Sequence, residues 1–131
     1  MASLNIGKSE LAYVRSFSGY WYLASPYTHY PRGREAAFRI ISDVASWLMV
    51  RDVVVFCPIA HSHPICEHGE IGDLGLDFDF WMKMDGSLMD RATGLIVTML
   101  NSWNTSRGVL EEIRRFSNAG KPIFYVRNEI D

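Results

Sequence analysis

Residues 95–113 read LIVTMLNSWNTSRGVLEEI, and this order predicts a strand, a loop and the start of a helix. Residues 95–100 are apolar enough for a buried strand, and the polar loop after them leads through Ser106 and Gly108 into a helix over residues 107–118. A junction of this kind presents unpaired backbone N–H groups and the positive end of a helix dipole. It therefore suits an anionic ligand such as a phosphate.

Helical geometry separates the two adjacent glutamates of this stretch. Glu111 falls with Arg107 and Arg115 on the face opposite the apolar stripe, which predicts a solvated ion-pair partner. Glu112 falls on the flank of the apolar stripe, one turn below Gly108, whose missing side chain leaves room for a ligand. Glu112 is therefore our candidate for chemistry. The alternative is a structural glutamate at the boundary of an amphipathic helix.

The composition indicates a single domain without a large charged surface. The 131 residues are 48% hydrophobic and 21% charged, with a net charge of −2, so the chain has no basic footprint for nucleic-acid polymers or anionic membranes. No apolar stretch is long enough to cross a membrane, and the N-terminus lacks the apolar core of a signal peptide. We expect a cytoplasmic protein with reduced Cys57 and Cys66 that binds a small molecule.

Predicted strands and helices alternate along the chain. Strands are predicted at residues 19–25, 53–57, 95–100 and 122–126, and helices at residues 34–50, 78–91 and 107–118. Residues 1–18 lack a sustained period and are interpreted as an N-terminal extension ahead of one domain, residues 19–131. Residues 59–75 are rich in His, Pro and Gly and are predicted to form a long loop.

This alternation predicts an α/β fold, an open parallel sheet with helices on both faces. Ligands of such sheets bind outside the carboxyl ends of the strands. Three predicted loops leave those ends, at residues 25–31, 58–75 and 101–106. We expect them to converge on one cleft.

Three acidic residues are candidates near that cleft: Glu112, Asp85 and Asp90. A carboxylate that attacks an anomeric carbon while a second acid assists departure of the leaving group is the logic of retaining glycosyl transfer. Asp85 shares its predicted helix with Trp81, a setting that can raise the pKa of the carboxyl by desolvation. The alternative is an exposed helical aspartate before Gly86.

Polar and aromatic residues surround the end of the first predicted strand. Tyr22, Ser25, Tyr27 and His29 are candidates for contact with a base or a sugar hydroxyl; the alternative for the tyrosines is aromatic filling of the core. Trp103 lies in the polar loop of the key stretch, where a large indole covers either a ligand or a neighbouring subunit.

The predicted long loop carries four potential metal ligands, His61, His63, Cys66 and His68. Three or four of them could surround a zinc ion. Their spacing matches no standard zinc motif, however, and Pro64 bends the segment. We therefore favour either an ordinary surface loop or a cleft-lining loop with one or two functional histidines, and we expect no metal.

The order and spacing of three motifs resemble the nucleoside 2-deoxyribosyltransferase superfamily. They are YLASPY at residues 22–27, Asp85 about nine residues before the strand at residues 94–100, and Ser106-x-Gly108-x-x-x-Glu112. ASPYTH at residues 24–29, SHPI at residues 62–65 and WxxSxG at residues 103–108 look more like a small bacterial and phage branch of it. The match covers about residues 19–126.

The resemblance implies a flavodoxin-like, or Rossmann-like, three-layer sheet and a retaining mechanism at an N-glycosidic bond without metal or organic cofactor. Glu112 would be the nucleophile that forms a deoxyribosyl-enzyme intermediate, Asp85 would protonate or orient the base, and Tyr22 would line the sugar site. Ser106 stands six residues before the nucleophile, where transferases of free nucleosides have Asp. Serine there is similar to nucleoside 5′-monophosphate N-glycosidases, in which it contacts the phosphate.

The sequence departs from the family pattern in two places. Residues 114–116 read RRF where Gly-Tyr-Ala or Gly-Arg-Ala is usual, and Thr93 replaces a frequent Asp. These departures leave open a nucleotide-sensing module without turnover, and the histidines of the long loop leave open a metal-dependent hydrolase. Active sites of the superfamily are commonly completed by a neighbouring subunit, so we expect a homodimer or homotetramer.

Overall fold

A computed structural model describes residues 1–129, in which four parallel strands form one sheet with helices on both faces. The strands are β1 (Trp21–Ala24), β2 (Val55–Phe56), β3 (Gly94–Thr98) and β4 (Ile123–Val126). The α-helices of this part are α1 (Lys8–Arg15), α2 (Arg34–Val50), α3 (Pro58–His68), α4 (Phe78–Arg91) and α5 (Arg107–Asn118). The predicted α/β class and the flavodoxin-like three-layer sheet are confirmed.

The strand order is β2-β1-β3-β4, and every neighbouring pair is parallel. From β1 the chain moves outward to β2, then returns past β1 to form β3 and β4 on the other side. The connections therefore reverse direction between β1 and β3. In open α/β sheets a ligand site lies outside the carboxyl ends of the strands at such a switch point.

Two apolar layers hold the helices to the sheet. On one face, α1 and α2 pack through Leu11, Val14, Ile41, Val44 and Leu48 against Trp21, Leu23 and Ile96. On the other face, α4 and α5 pack through Met89, Val109 and Phe116 against Tyr22, Leu95 and Val97. Within residues 1–129, none of the helices has the length and apolar character needed to cross a membrane.

The segment predicted as an N-terminal extension packs against the sheet. Leu4 and Val14 are buried, and Leu4 forms an antiparallel bridge with Asn128. The Trp21 indole N–H donates a 3.1 Å hydrogen bond to the Val14 carbonyl. Residues 1–18 thus share one core with the predicted domain, of which residues 130 and 131 lie outside the described part.

The prediction of a long loop over residues 59–75 is wrong. Residues 58–68 form α3, and a 3-10 turn follows at Gly72–Leu76. Pro58 occupies the first turn of α3, where a missing N–H removes no helical hydrogen bond. Pro64 lies inside the helix, where proline normally kinks or ends a helix. The composition of the segment therefore did not predict a helix.

The backbone at Gly94 lies close against the Trp21 ring, and we predict that Gly94→Ala destabilises the fold by about 3 kcal/mol. An added Cβ would collide with the ring of Trp21 and lie 2.7 Å from the Pro122 carbonyl oxygen. Urea unfolding measures the change. Gly108→Ala is the matched control, because a Cβ there meets nothing within 4 Å. Equal unfolding midpoints for the two variants would contradict the packing.

Candidate active site

A cavity of about 310 Å³ lies at the carboxyl edge of the sheet. Its walls come from the end of β1 and the residues after it, from α3, from the start of α4, and from the segment between β3 and α5. The three segments that we expect to converge do line this cavity. Among the predicted site residues, the lining includes Ser25, Tyr27, His29, Ser106, Gly108 and Glu112.

One end of the cavity is the N-terminus of α5. Ser106 caps this helix, its hydroxyl oxygen accepting a 3.4 Å hydrogen bond from the Val109 N–H, and its own hydroxyl hydrogen can still turn to a ligand. The first backbone N–H groups of a helix have no intrahelical partner. Arg107 adds a charged side chain, stacked over the Phe78 ring at 3.9 Å. Space at Gly108 leaves these donors accessible, so this end fits an anion.

Two carboxyl groups are buried beside the cavity. Glu112 is 8% exposed, and Asp85 on α4 is 9% exposed. Glu112 lines the cavity, whereas Asp85 lies in the adjacent wall, close enough for its charge to act on Glu112. The apolar contacts of Val109 and Phe116 hold α5 against the sheet and turn the carboxyl of Glu112 inward.

Desolvation raises the pKa of both carboxyls. Burial, reinforced by the charge of Asp85, raises the pKa of Glu112 to about 8. Burial also raises the pKa of Asp85 to about 6, against the opposing effect of His61 and Tyr22. Between those two values the pair therefore carries one proton and one negative charge, which it shares as a coupled unit.

Tyr22 lies under this pair. Its side chain is fully buried in β1, and its hydroxyl interacts with both carboxyls, favouring their charged forms. The hydroxyl makes no hydrogen bond of regular geometry within the described chain. Burial and the two carboxylates raise the pKa of Tyr22, which keeps the phenol protonated. The Tyr22 hydroxyl therefore stays a hydrogen-bond donor between the two carboxyls.

A hydrogen-bonded chain of three residues includes two that line the cavity, Tyr27 and His63. The Tyr27 hydroxyl is 2.6 Å from Nδ1 of His63, and Nε2 of His63 is 2.8 Å from a carboxylate oxygen of Glu35. His63 is 4% exposed and stacks on Phe38 at 4.3 Å. Tyr27 and His63 were candidates from the sequence, whereas Glu35 was not, because no local spacing relates Glu35 to a histidine 28 residues away.

Two predicted site residues lie away from the cavity. The Asp90 side chain is 70% exposed, and its carboxylate is 3.8 Å from Arg115. Trp103 is half-buried, lies against Tyr125 with ring centroids 5.6 Å apart, and lines a neighbouring hollow. Asp90 therefore takes no part in the arrangement around Glu112. Trp103 lies beside the cavity but does not line it.

The potential zinc ligands lie along α3 without converging. In the described residues, no three side chains of His, Cys, Asp or Glu are grouped closely enough to hold a metal ion. Both ring nitrogens of His63 are engaged by Tyr27 and Glu35. His61 is exposed and opposes the rise in the pKa of Asp85.

The raised pKa of Glu112 predicts a pH-dependent stability. A carboxyl with a pKa near 4.5 in the unfolded chain and about 8 in the fold binds more protons when folded, so the free energy of unfolding decreases as pH rises between those values. We expect the Tm of the wild type to fall on the order of 5 °C between about pH 6 and pH 8. Glu112→Gln removes most of this fall.

Thermal melts across this range test the effect, with Glu111→Gln as the matched control. Glu111 is the neighbouring, ion-paired glutamate on the outer face of α5, where Arg114 holds its pKa low. The same pH dependence in wild type and Glu112→Gln would contradict burial of an uncompensated carboxyl.

A search of curated proteins found no match. A family model described as a domain of unknown function, DUF1937, matches residues 19–128. The matched stretch contains the four strands, both buried carboxyls and the hydrogen-bonded chain of three residues. The chain therefore belongs to the DUF1937 family.

Proposed function

We propose that this protein cleaves or exchanges the N-glycosidic bond of a nucleotide, a (deoxy)nucleoside 5′-monophosphate, by a retaining mechanism. The observation that carries the proposal is the buried pair of Glu112 and Asp85 beside a cavity with a helix N-terminus at its rim. Kinship with the nucleoside 2-deoxyribosyltransferase superfamily is part of the proposal. The flavodoxin-like fold and the positions of Tyr22, Ser106 and the two carboxyls support it.

The pair supplies the two protonation states that the reaction needs. Glu112, as the carboxylate, attacks C1′ of the sugar; a C1′–O bond forms as the C1′–N bond breaks, and the electron pair goes to the base nitrogen. Asp85 supplies the proton that the leaving base takes up. In the free protein the pKa of Glu112 is the higher of the two, so the proton must first pass from Glu112 to Asp85. We assign this transfer to the Tyr22 hydroxyl, which influences the pKa of both carboxyls.

The second half of the reaction returns the site to its starting state. Water or another base attacks C1′, the bond to Glu112 breaks, and the proton released by the acceptor returns to the carboxyl pair. Two displacements at the same carbon retain its configuration. None of these steps uses a metal ion or an organic cofactor.

A phosphate is the proposed anchor of the substrate. The Ser106 hydroxyl, the first N–H groups of α5 and the Arg107 guanidinium line one end of the cavity. These groups stabilise a dianion more than a neutral sugar alcohol. Because the net charge of the chain is −2, this attraction has to come from these local groups.

Neither Thr93 nor any of residues 114–116 lines the cavity, which supports an enzyme over a nucleotide sensor. Arg114 pairs with Glu111 on the surface of α5, and Arg115 extends over Gly86 toward Asp90. Phe116 lies in the core. The expected homodimer or homotetramer stays a prediction.

We predict that the protein releases free base from deoxynucleoside 5′-monophosphates and that Glu112→Ala lowers the rate by at least about a thousandfold, since the nucleophile is lost. Chromatography of a panel of deoxynucleotides measures the release. Glu111→Ala, one residue away but paired with Arg114 outside the cavity, should keep the rate. Release that persists in Glu112→Ala would refute the mechanism, and tight binding in calorimetry without release would identify a sensor.

The shared proton predicts a bell-shaped pH profile for kcat/KM, with limbs near the pKa values of about 6 and about 8. The alkaline limb is the diagnostic one, because the second ionisation of a phosphate also falls near about pH 6. Asp85→Asn should lower the rate and abolish the alkaline limb, since the residual reaction needs only an ionised Glu112. Asp79→Asn, on the exposed first turn of the same helix, should keep the bell. An alkaline limb that survives in Asp85→Asn would exclude Asp85 as the acid.

A further inference from the structure

The hydrogen-bonded chain of Tyr27, His63 and Glu35 has no part in the glycosyl chemistry, although Tyr27 and His63 line the same cavity. It joins three separate elements: Tyr27 follows β1, Glu35 lies in the first turn of α2, and His63 is on α3. Both of its hydrogen bonds are short, at 2.6 and 2.8 Å, and Phe38 stacks on the imidazole. His63 therefore fixes the orientation of the Tyr27 hydroxyl.

The direction of the hydrogen bonds follows from the carboxylate. The hydrogen bond from His63 holds the pKa of Glu35 below its ordinary value, so Glu35 is ionised and can only accept; Nε2 of His63 must carry the hydrogen. When the imidazole carries this one hydrogen, Nδ1 is left as an acceptor to which the Tyr27 hydroxyl donates. Burial raises the pKa of Tyr27, so the phenol keeps the proton that it donates. Toward the cavity, Tyr27 offers only oxygen lone pairs.

The sheet order indicates which part of a bound nucleotide meets Tyr27. Ser106 follows β3, Ser25 and Tyr27 follow β1, and α3 with Ser62 and His63 follows β2. Adjacent strands are about 4.8 Å apart, so the β3 and β2 ends of the cavity are separated by about 10 Å. A phosphate held at Ser106 places the sugar near β1 and directs the base toward α3.

The same side of the cavity holds two further polar groups. The hydroxyls of Ser25 and Ser62 are buried, line the cavity and have no hydrogen-bond partner within the described chain. Buried hydroxyls are normally paired. Two buried hydroxyls without partners indicate that polar atoms of a ligand bind beside Ser25 and Ser62.

We propose that Tyr27 selects bases with an exocyclic amino group, such as adenine or cytosine, over bases with a carbonyl at the same position, such as hypoxanthine or uracil. The proposal rests on the nucleotide function proposed above. An amino group donates to the Tyr27 oxygen, whereas a carbonyl oxygen there faces lone pairs and loses its hydrogen bond on leaving water. His63 and Glu35 are positioning residues, which act by holding the Tyr27 hydrogen away from the cavity.

The test compares affinities within two pairs of nucleotides, dAMP with dIMP and dCMP with dUMP, by calorimetry. Measurements on Glu112→Gln avoid turnover. In this background the amino member of at least one pair should bind at least about tenfold tighter. Tyr27→Phe should bring the ratio near one by weakening the amino member alone. His63→Gln should also reduce the ratio, because a freed Tyr27 hydroxyl can donate to a carbonyl.

His68→Gln is the matched control on the same helix, since His68 is exposed and does not line the cavity; it should leave the ratio unchanged. Equal affinities within both pairs, or a preference that survives Tyr27→Phe, would overturn the inference while leaving the glycosidase proposal intact. Absence of binding by all four nucleotides, with no base release by the wild type, would overturn both.

Discussion

The burial of two carboxyl groups under one cavity is the constraint on which the rest of the structure depends. Glu112 and Asp85 lie on neighbouring helices of the same face, and their shared desolvation raises both pKa values. A carboxyl in such a place opposes folding when it ionises. The apolar contacts of α5 must therefore hold Glu112 inward against its tendency to reach water. The proposed roles of the cavity, the helix N-terminus and Tyr22 all depend on this inward position of the Glu112 carboxyl.

The strongly periodic helices could be predicted to the residue, because an amphipathic stripe is a local property. The predicted helices at residues 34–50, 78–91 and 107–118 match α2, α4 and α5. The strands are shorter than predicted, since pairing with a neighbour, which no single segment reveals, decides where a strand ends. The edge strand β2 keeps only Val55–Phe56. Helix α3 was missed because two prolines and a polar composition conceal a helix that packing on α2 and β1 stabilises.

The site was predictable where one helix turn relates its parts. Ser106, Gly108 and Glu112 come together on α5 by spacing alone. The same geometry could have excluded Asp90: five residues after Asp85, it is rotated by about 140° around the helix and cannot face the same cavity. Glu35 was beyond prediction, because its partner His63 is reached only through the tertiary fold.

The short edge at β2 has a consequence for self-association. A strand on the rim of a sheet exposes unpaired amide and carbonyl groups that can template pairing with another molecule. Two residues offer too few such groups for a lasting intermolecular ladder, even though the adjacent Val54 is exposed. This rim is thereby protected against fibril-like stacking, so a ladder between copies of the sheet would have to form at β4, the other edge strand.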